Sequence, residues 1–209
     1  SSKCGASDSG NLKPVISLGL SPLANNLLSS KDDKDELYPL EMQYCPDSHN
    51  CQLSYVVPAE KMFDHYLYVS STTKSFRRHF EDAAEKYIRE FRLTNDSLVI
   101  DIGSNDGIAL KPLKDQNIPV LGVDNIIKEY GKADLITASN VFAHADNLEE
   151  IAKSAFKLLK KEGCFIIEVQ YLLDTLNDLT FDNIYHEHVN YWSVTSLNNF
   201  FNRLGYAIN

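Results

Sequence analysis

The sequence predicts an α/β protein in which a doubly wound, mainly parallel sheet occupies residues 97–209. A small cysteine-bearing domain of short strands and loops precedes it over residues 1–60, and a helical segment over residues 61–96 connects the two. Three observations predict this. From residue 97 onward, short apolar runs alternate with amphipathic stretches, the pattern of strands covered on both faces by crossover helices. Residues 1–60 instead mix brief apolar stretches with Pro, Asn, Ser and the charged run KDDKDE. The length of 209 residues suits one medium domain with an appendage better than two full domains.

The elements follow in order. PVISLGL, LYPLEMQY and CQLSYVV read as strands of the N-terminal domain, which buries so little apolar area that it needs docking or a metal staple. Residues 75–92 set Phe76, Phe80, Ala83, Ala84, Tyr87, Ile88 and Phe91 at three- and four-residue steps, an amphipathic helix with Ser75 as its N-cap. SLVIDIG is a buried strand, followed by a glycine-bearing turn and a helix starting at IALKPLK. PVLGVD and ADLITAS are further buried strands, NLEEIAKSAFKLLKK a helix, GCFIIEVQ a strand, and SVTSLNNFFNRLGY a helix ended by Gly205. Only the short stretch 125–133 leads from PVLGVD to ADLITAS, although a right-handed crossover needs more chain. The sequence also stops at GYAIN, where another strand is due. The expectation is that an internal loop and a C-terminal portion are absent from it.

Composition bounds the function. Hydrophobic residues at 44% and charged residues at 23% fit a soluble globular protein, and there is no apolar run of the ~18 residues a membrane span requires. The first twenty residues lack a signal-peptide layout, so a cytoplasmic location is expected, with no membrane partner. A net charge of −9 repels phosphate backbones and argues against nucleic acid as a partner. The four cysteines, Cys4, Cys45, Cys51 and Cys164, then point to metal or burial and not to disulfides.

Asp101-Ile-Gly103-Ser-Asn105-Asp106-Gly107 lies between a buried strand and a helix. Its glycines let the backbone approach a ligand near a helix N-terminus. It is not the G-x-G-x-x-G dinucleotide fingerprint. An acid before G-x-x-x-G is the pattern of class I S-adenosylmethionine-dependent methyltransferases, whose cationic sulfonium brings no pyrophosphate to cradle. The fold expected on this reading is a Rossmann-like class I methyltransferase domain. Asp124, ending PVLGVD about 20 residues later, can accept both ribose hydroxyls. Asp101, Gly103, Asn105, Asp106, Gly107, Asp124, Ser139 and Asn140 are the candidate cofactor-binding residues. The plainer alternative is any doubly wound fold with a tight turn and a surface Asp.

LGLSPLANN, QLSYVV, YLYVSSTTKSFRRHF, DIGSNDG, SNVFAHADN, EVQYLL and FDNIYHEHVNYWS together resemble the nucleotide-sugar C-methyltransferases of deoxysugar biosynthesis, over nearly the whole chain. The resemblance implies a small zinc-binding domain, a Rossmann-like domain for S-adenosylmethionine, and a C-terminal domain for the nucleotide sugar that this sequence lacks. It implies methyl transfer to a sugar carbon beside a ketone. Such a carbon becomes nucleophilic only after a proton leaves, so a base and an enolate stabiliser are needed. By resemblance His188 is the base, with Tyr185 and Glu187 positioning the sugar or tuning the imidazole. Asn140 and His144 lie near the reacting centre, and Tyr66 or Tyr68 reaches it from the N-terminal side. His49, His65 and His79 read as ordinary surface or core residues.

The family's zinc domain uses four cysteines in two pairs. Here Cys4, Cys45 and Cys51 are the candidate ligands of one structural zinc, with a C-x5-C spacing in place of C-x2-C. At the usual spacing Ser1 and Ser48 would fall on ligand positions, and serine is a poor zinc ligand. Cys164 opens a buried strand and reads as core. Two other functions compete with sugar C-methylation: O- or N-methylation of a small molecule, and a zinc-bearing binding module without catalysis.

Overall fold

The computed structural model describes residues 1–63, 73–123 and 131–209. In chain order the elements are β1 (Lys13–Ser21), β2 (Tyr38–Cys45), β3 (Asn50–Leu53), α1 (Ala59–Phe63), α2 (Lys74–Phe91), β4 (Val99–Ile102), α3 (Lys111–Asp115), β5 (Val120–Val123), β6 (Ala133–Ser139), α4 (Leu148–Leu158), β7 (Leu159–Glu168), α5 (Leu172–Asn177), β8 (Asn190–Tyr191) and α6 (Val194–Arg203), with a 3-10 turn at Phe181–Asn183. The described residues form two compact units. One gathers residues 1–63, 142–149 and 169–209, and the other residues 73–123, 131–141 and 150–168. The division differs from one drawn along the sequence, because the segment after β7 completes the sheet of the N-terminal strands.

That first unit holds an antiparallel sheet in the order β1-β2-β3-β8. Alternation along β2 turns Leu40 and Met42 to one face, where they pack with Cys51, Leu53, Ile184 and Tyr191. β1 is the edge strand, and its ladder with β2 is broken between Pro14 and Ile16 and again between Ser17 and Leu20. Proline and such irregularities blunt an edge against further pairing. Aromatic rings supply a second cluster. Phe142, Trp192, Phe200 and Phe201 lie with centroids 4.9 to 6.4 Å apart, and the Trp192 indole N–H donates to the Phe142 carbonyl at 2.8 Å. α6 is the helix the sequence predicts. A Ser193–Ser196 capping box starts it, and Gly205, with φ of 84°, stands just past its end.

The other unit is built on a four-stranded parallel sheet in the order β5-β4-β6-β7. With helices packed on it, it is the Rossmann-like sheet the sequence predicts. α2 lays Ala84 against Val99, Leu113, Ile118 and Leu135. Its N-cap is Thr73, whose hydroxyl accepts from the Phe76 N–H, so Ser75 sits inside the first turn and is not the cap. α4 ends three residues earlier than its apolar period suggests, because Leu159 pairs with Ala133 and starts β7 there. β5 and β6 flank β4 in parallel, and the residues linking them, 124–130, lie outside the described ones.

Candidate functional site

In the parallel unit, the chain leaves β4 for β5 on one side and returns to β6 on the other. Such a reversal opens a crevice at the carboxyl ends of the strands, where open α/β sheets bind ligands. Asp101 and the turn 103–107 lie at this point. Asp101 is only 3% exposed, and the Thr137 hydroxyl, opposite it on β6, donates to its Oδ1 at 2.5 Å. Gly103 has φ of 68°, and a Cβ there would stand 2.6 Å from Val141 Cγ2. Only glycine suits both conditions. Asn105 and Gly107 also take positive φ, the Gly107 N–H donates to the Ser104 carbonyl at 2.8 Å, and Asp106 Oδ1 accepts from the Ile108 N–H at 3.3 Å. Asn105 and Asp106 are exposed. At the neighbouring tip, Ser139 pairs with Glu168, and the Asn140 N–H donates to the Glu168 carbonyl at 2.7 Å. The unit therefore gathers Asp101, Gly103, Asn105, Asp106, Gly107, Ser139 and Asn140 at one end of its sheet. Asp124 lies outside the described residues.

Sequence reasoning missed three side chains here. Thr137 carried a signal, as a hydroxyl in the apolar run ADLITAS. His79 and Glu168 did not, being 89 residues apart, yet the His79 Nε2 stands 2.9 and 3.1 Å from the two Glu168 carboxylate oxygens.

In the other unit the segment Tyr185–His188 folds back on residue 144. His188 Nδ1 is 2.9 Å from the Asn183 carbonyl and its Nε2 is 3.1 Å from the Tyr185 hydroxyl. A carbonyl only accepts, so Nδ1 carries the proton, and in the neutral ring Nε2 keeps its lone pair toward the phenol. His188 is 5% exposed, and burial holds its pKa below the ordinary imidazole value against the pull of the Asn183 hydrogen bond. The His144 ring stacks edge-on at 4.9 Å from it. Burial, then the proximity of His188, bring the His144 pKa down to about 4. Glu187 is 4% exposed; burial pushes its carboxyl pKa up, opposed by the Asn25 amide, which donates to Oε1 at 2.5 Å. Glu187, Asn25 and His186 line a cavity of about 180 Å³ together with Glu60 and Lys61. Neither ring nitrogen of the buried His186 has a hydrogen-bond partner among the described residues. Tyr185, Glu187, His188 and His144 are thus brought together, with Asn25 as the partner that sequence reasoning missed. Tyr66 and Tyr68, like His65, lie outside the described residues, and Asn140 belongs to the parallel unit.

The low His144 pKa makes stability depend on acid. Between about 6.5 and about 4 the unfolded chain binds a proton there and the folded one does not, so stability is complete above that window and falls as pH drops through it. His188 acts in the same direction, whereas Glu187, with its raised pKa, opposes them. His144→Asn should flatten the pH dependence of urea unfolding by on the order of 2 to 3 kcal/mol across the window. An unchanged slope would contradict this account of the site.

The cysteines do not form the expected trio. Tyr44 pairs with Cys51 and Cys45 with Asn50, so Cys51 faces the apolar core with Met42 and Leu53 while Cys45 lies in the alternate register. Among the described residues no three His, Cys, Asp or Glu side chains converge as a metal site. The buried neighbours of Cys4 and Cys45 are hydroxyls: Cys4 Sγ is 3.1 Å from Ser48 Oγ, and Cys45 Sγ is 3.6 Å from Ser7 Oγ. This donor set does not fit zinc, which is bound by thiolate, imidazole or carboxylate. No described helix is long and apolar enough to cross a membrane.

A family model described as "Methyltransferase domain" matches residues 75–209, and one described as "Putative zinc binding domain" matches residues 4–63. The C-methyltransferase NovU of Streptomyces niveus is 30% identical, over 93% of this chain and 53% of its own length, so the chain spans about half of this curated relative. Among solved structures, the plantazolicin methyltransferase BpumL, in complex with a desmethyl analogue and SAH, is 15% identical with a TM-score of 0.47, over 64% of this chain and 65% of that one. Coclaurine N-methyltransferase, bound to N-methylheliamine and SAH, is also 15% identical, with a TM-score of 0.44 over 65% and 50%. At TM-scores this low the fold rests on the strand order itself. With the first family model covering well over half of its residues, the chain belongs to the methyltransferase-domain family.

Proposed function

We propose that the protein is an S-adenosylmethionine-dependent C-methyltransferase acting on a nucleotide-linked keto-deoxysugar. The observation that carries the reading is the His188–Tyr185 pair. A buried neutral imidazole, with its Nδ1–H hydrogen-bonded to a backbone carbonyl, directs the Nε2 lone pair at the phenol of Tyr185, a residue that is itself partly exposed. Such a pair suits removal of a proton beside a ketone, the step that separates methylation of carbon from methylation of oxygen or nitrogen. Tyr185 is the surface member, so the proton reaches His188 through, or beside, its hydroxyl. Glu187, shielded by Asn25, hydrogen-bonds sugar hydroxyls. His144 stays neutral beside His188 and adds no charge against proton uptake. The name of the S. niveus relative supports carbon as the acceptor.

Asp101, Gly103, Asn105, Asp106, Gly107, Ser139 and Asn140 would hold the cofactor, with Asp124 on its ribose. When bound, S-adenosylmethionine supplies an electrophilic methyl group. Thr137 keeps Asp101 oriented, and Gly103 lets the backbone come close. In the full-length protein, S-adenosylmethionine and a 4-keto sugar nucleotide should give a product carrying the new methyl group on carbon. Gly103→Val should stay folded at reduced stability and bind the cofactor at least ~10-fold more weakly by calorimetry. A methyl found on oxygen or nitrogen would reject the carbon assignment, and unchanged affinity in the variant would reject the cofactor site.

A further inference from the structure

Two short loops of the antiparallel unit carry the same spacing, Cys4-Gly-Ala-Ser7 and Cys45-Pro-Asp-Ser48. Where a four-thiolate zinc site would read C-x2-C twice, this chain reads C-x2-S twice. The first loop is a closed turn: the Cys4 N–H donates to the Ser9 carbonyl, and the Asp8 N–H to the Cys4 carbonyl, both at 2.8 Å. The second is the tight connection between β2 and β3, with His49 in the left-handed region. The loops face each other. Cys4 and Cys45 are fully buried, and Ser48 is 1% exposed. Cys4 Sγ meets Ser48 Oγ at 3.1 Å, and Cys45 Sγ meets Ser7 Oγ at 3.6 Å. Asp47 staples the same loops from outside, accepting from the Ser9 hydroxyl and, at 3.0 Å, from the Asn11 amide. Ser1 belongs to neither loop contact; it is exposed, with its hydroxyl on the Lys3 carbonyl at 2.6 Å.

The chemistry of this set differs from that of a metal knot. Zinc draws its affinity from deprotonated ligands, and a serine hydroxyl stays protonated at any pH the protein meets. Four buried thiols would satisfy one another poorly without an ion. A thiol beside a hydroxyl is different, because each can donate and accept, and buried polar atoms require such partners. We propose that Cys4, Ser7, Cys45 and Ser48 form a metal-free clamp, in which thiol–hydroxyl hydrogen bonds close the two loops of the antiparallel unit at the place where a zinc ion would otherwise hold them.

The full-length protein, purified without chelator from zinc-supplemented cells, should contain less than about one tenth of an equivalent of zinc, and EDTA should leave its melting temperature unchanged. Ser7→Cys/Ser48→Cys creates two C-x2-C thiolate pairs. That variant should take up about one zinc per chain, give a tetrahedral thiolate spectrum with Co(II), and melt at a higher temperature that EDTA lowers. About one tightly held zinc in the natural protein overturns the proposal. So does a folded double variant that takes up no metal, since the four side chains would then not form one centre. Should the double variant fail to fold, the metal content and EDTA response of the natural protein decide.

Discussion

His188→Ala in the full-length protein should lose methyl transfer by ~10²-fold or more while binding cofactor and sugar nucleotide nearly normally. The carbon beside a ketone is a far weaker acid than any side-chain donor, so proton removal is the step most exposed to loss of the base. In the natural protein, Nε2 keeps its lone pair because the Asn183 carbonyl accepts a hydrogen bond from Nδ1–H and so holds the proton on that nitrogen. Removing the ring removes the acceptor and leaves the Tyr185 phenol without the partner that draws its proton. Solvent-deuterium exchange at the acidic carbon, followed without cofactor, should vanish in the same variant. Tyr185→Phe gives a graded control: it keeps Nε2 but removes the hydroxyl between it and the surface, so exchange should slow and not disappear. Turnover at the natural rate in His188→Ala would move the base elsewhere, with His186 the next candidate.

The second large effect is on stability. Trp192 is 1% exposed, packs against Phe142 and Phe200, and spends its indole N–H on the Phe142 carbonyl. Trp192→Ala leaves a large cavity and a buried carbonyl without its donor. Together these should cost about 3 to 5 kcal/mol, enough to unfold the antiparallel unit near physiological temperature. Trp192→Phe keeps most of the volume and loses the hydrogen bond, so it should cost about 1 to 2 kcal/mol. Urea unfolding followed by circular dichroism separates the two, and a loss below about 1 kcal/mol in Trp192→Ala would show that the ring cluster is not a stability centre.

What could be read from the sequence follows from whether the determining contacts are local. β6 coincides with ADLITAS, and α6 begins just after its N-cap Ser193, because strand hydrophobicity and capping chemistry are encoded within a few residues. β8 escaped notice: two residues in YHEHVNYWS become a strand only by pairing with Gln52 and Cys51. The short helix α5 carries too few turns for a period to show. At the site, residue types were legible and their states were not. The Tyr-His-Glu-His segment pointed to chemistry, but the protonated nitrogen of His188 depends on a carbonyl that the 3-10 turn at Phe181–Asn183 presents. The environment of Glu187 depends on Asn25, 162 residues away. The place of Cys51 was within reach, since hairpin alternation alone sets Cys45 and Cys51 in different registers.

The pairing of β3 with β8 bears on how the chain is made. Ribosomes deliver residues 1–63 long before residues 190–191, and the parallel unit emerges in between. Until the later segment arrives, β3 has an open side with unpaired N–H and C=O groups, and Leu53 and Met42 lack their Ile184 and Tyr191 cover. An open apolar edge of this kind invites pairing with another nascent chain. Residues 1–63 are therefore completed only when residues 184–191 arrive, and an arrest of synthesis between the two leaves the β3 edge open to such pairing.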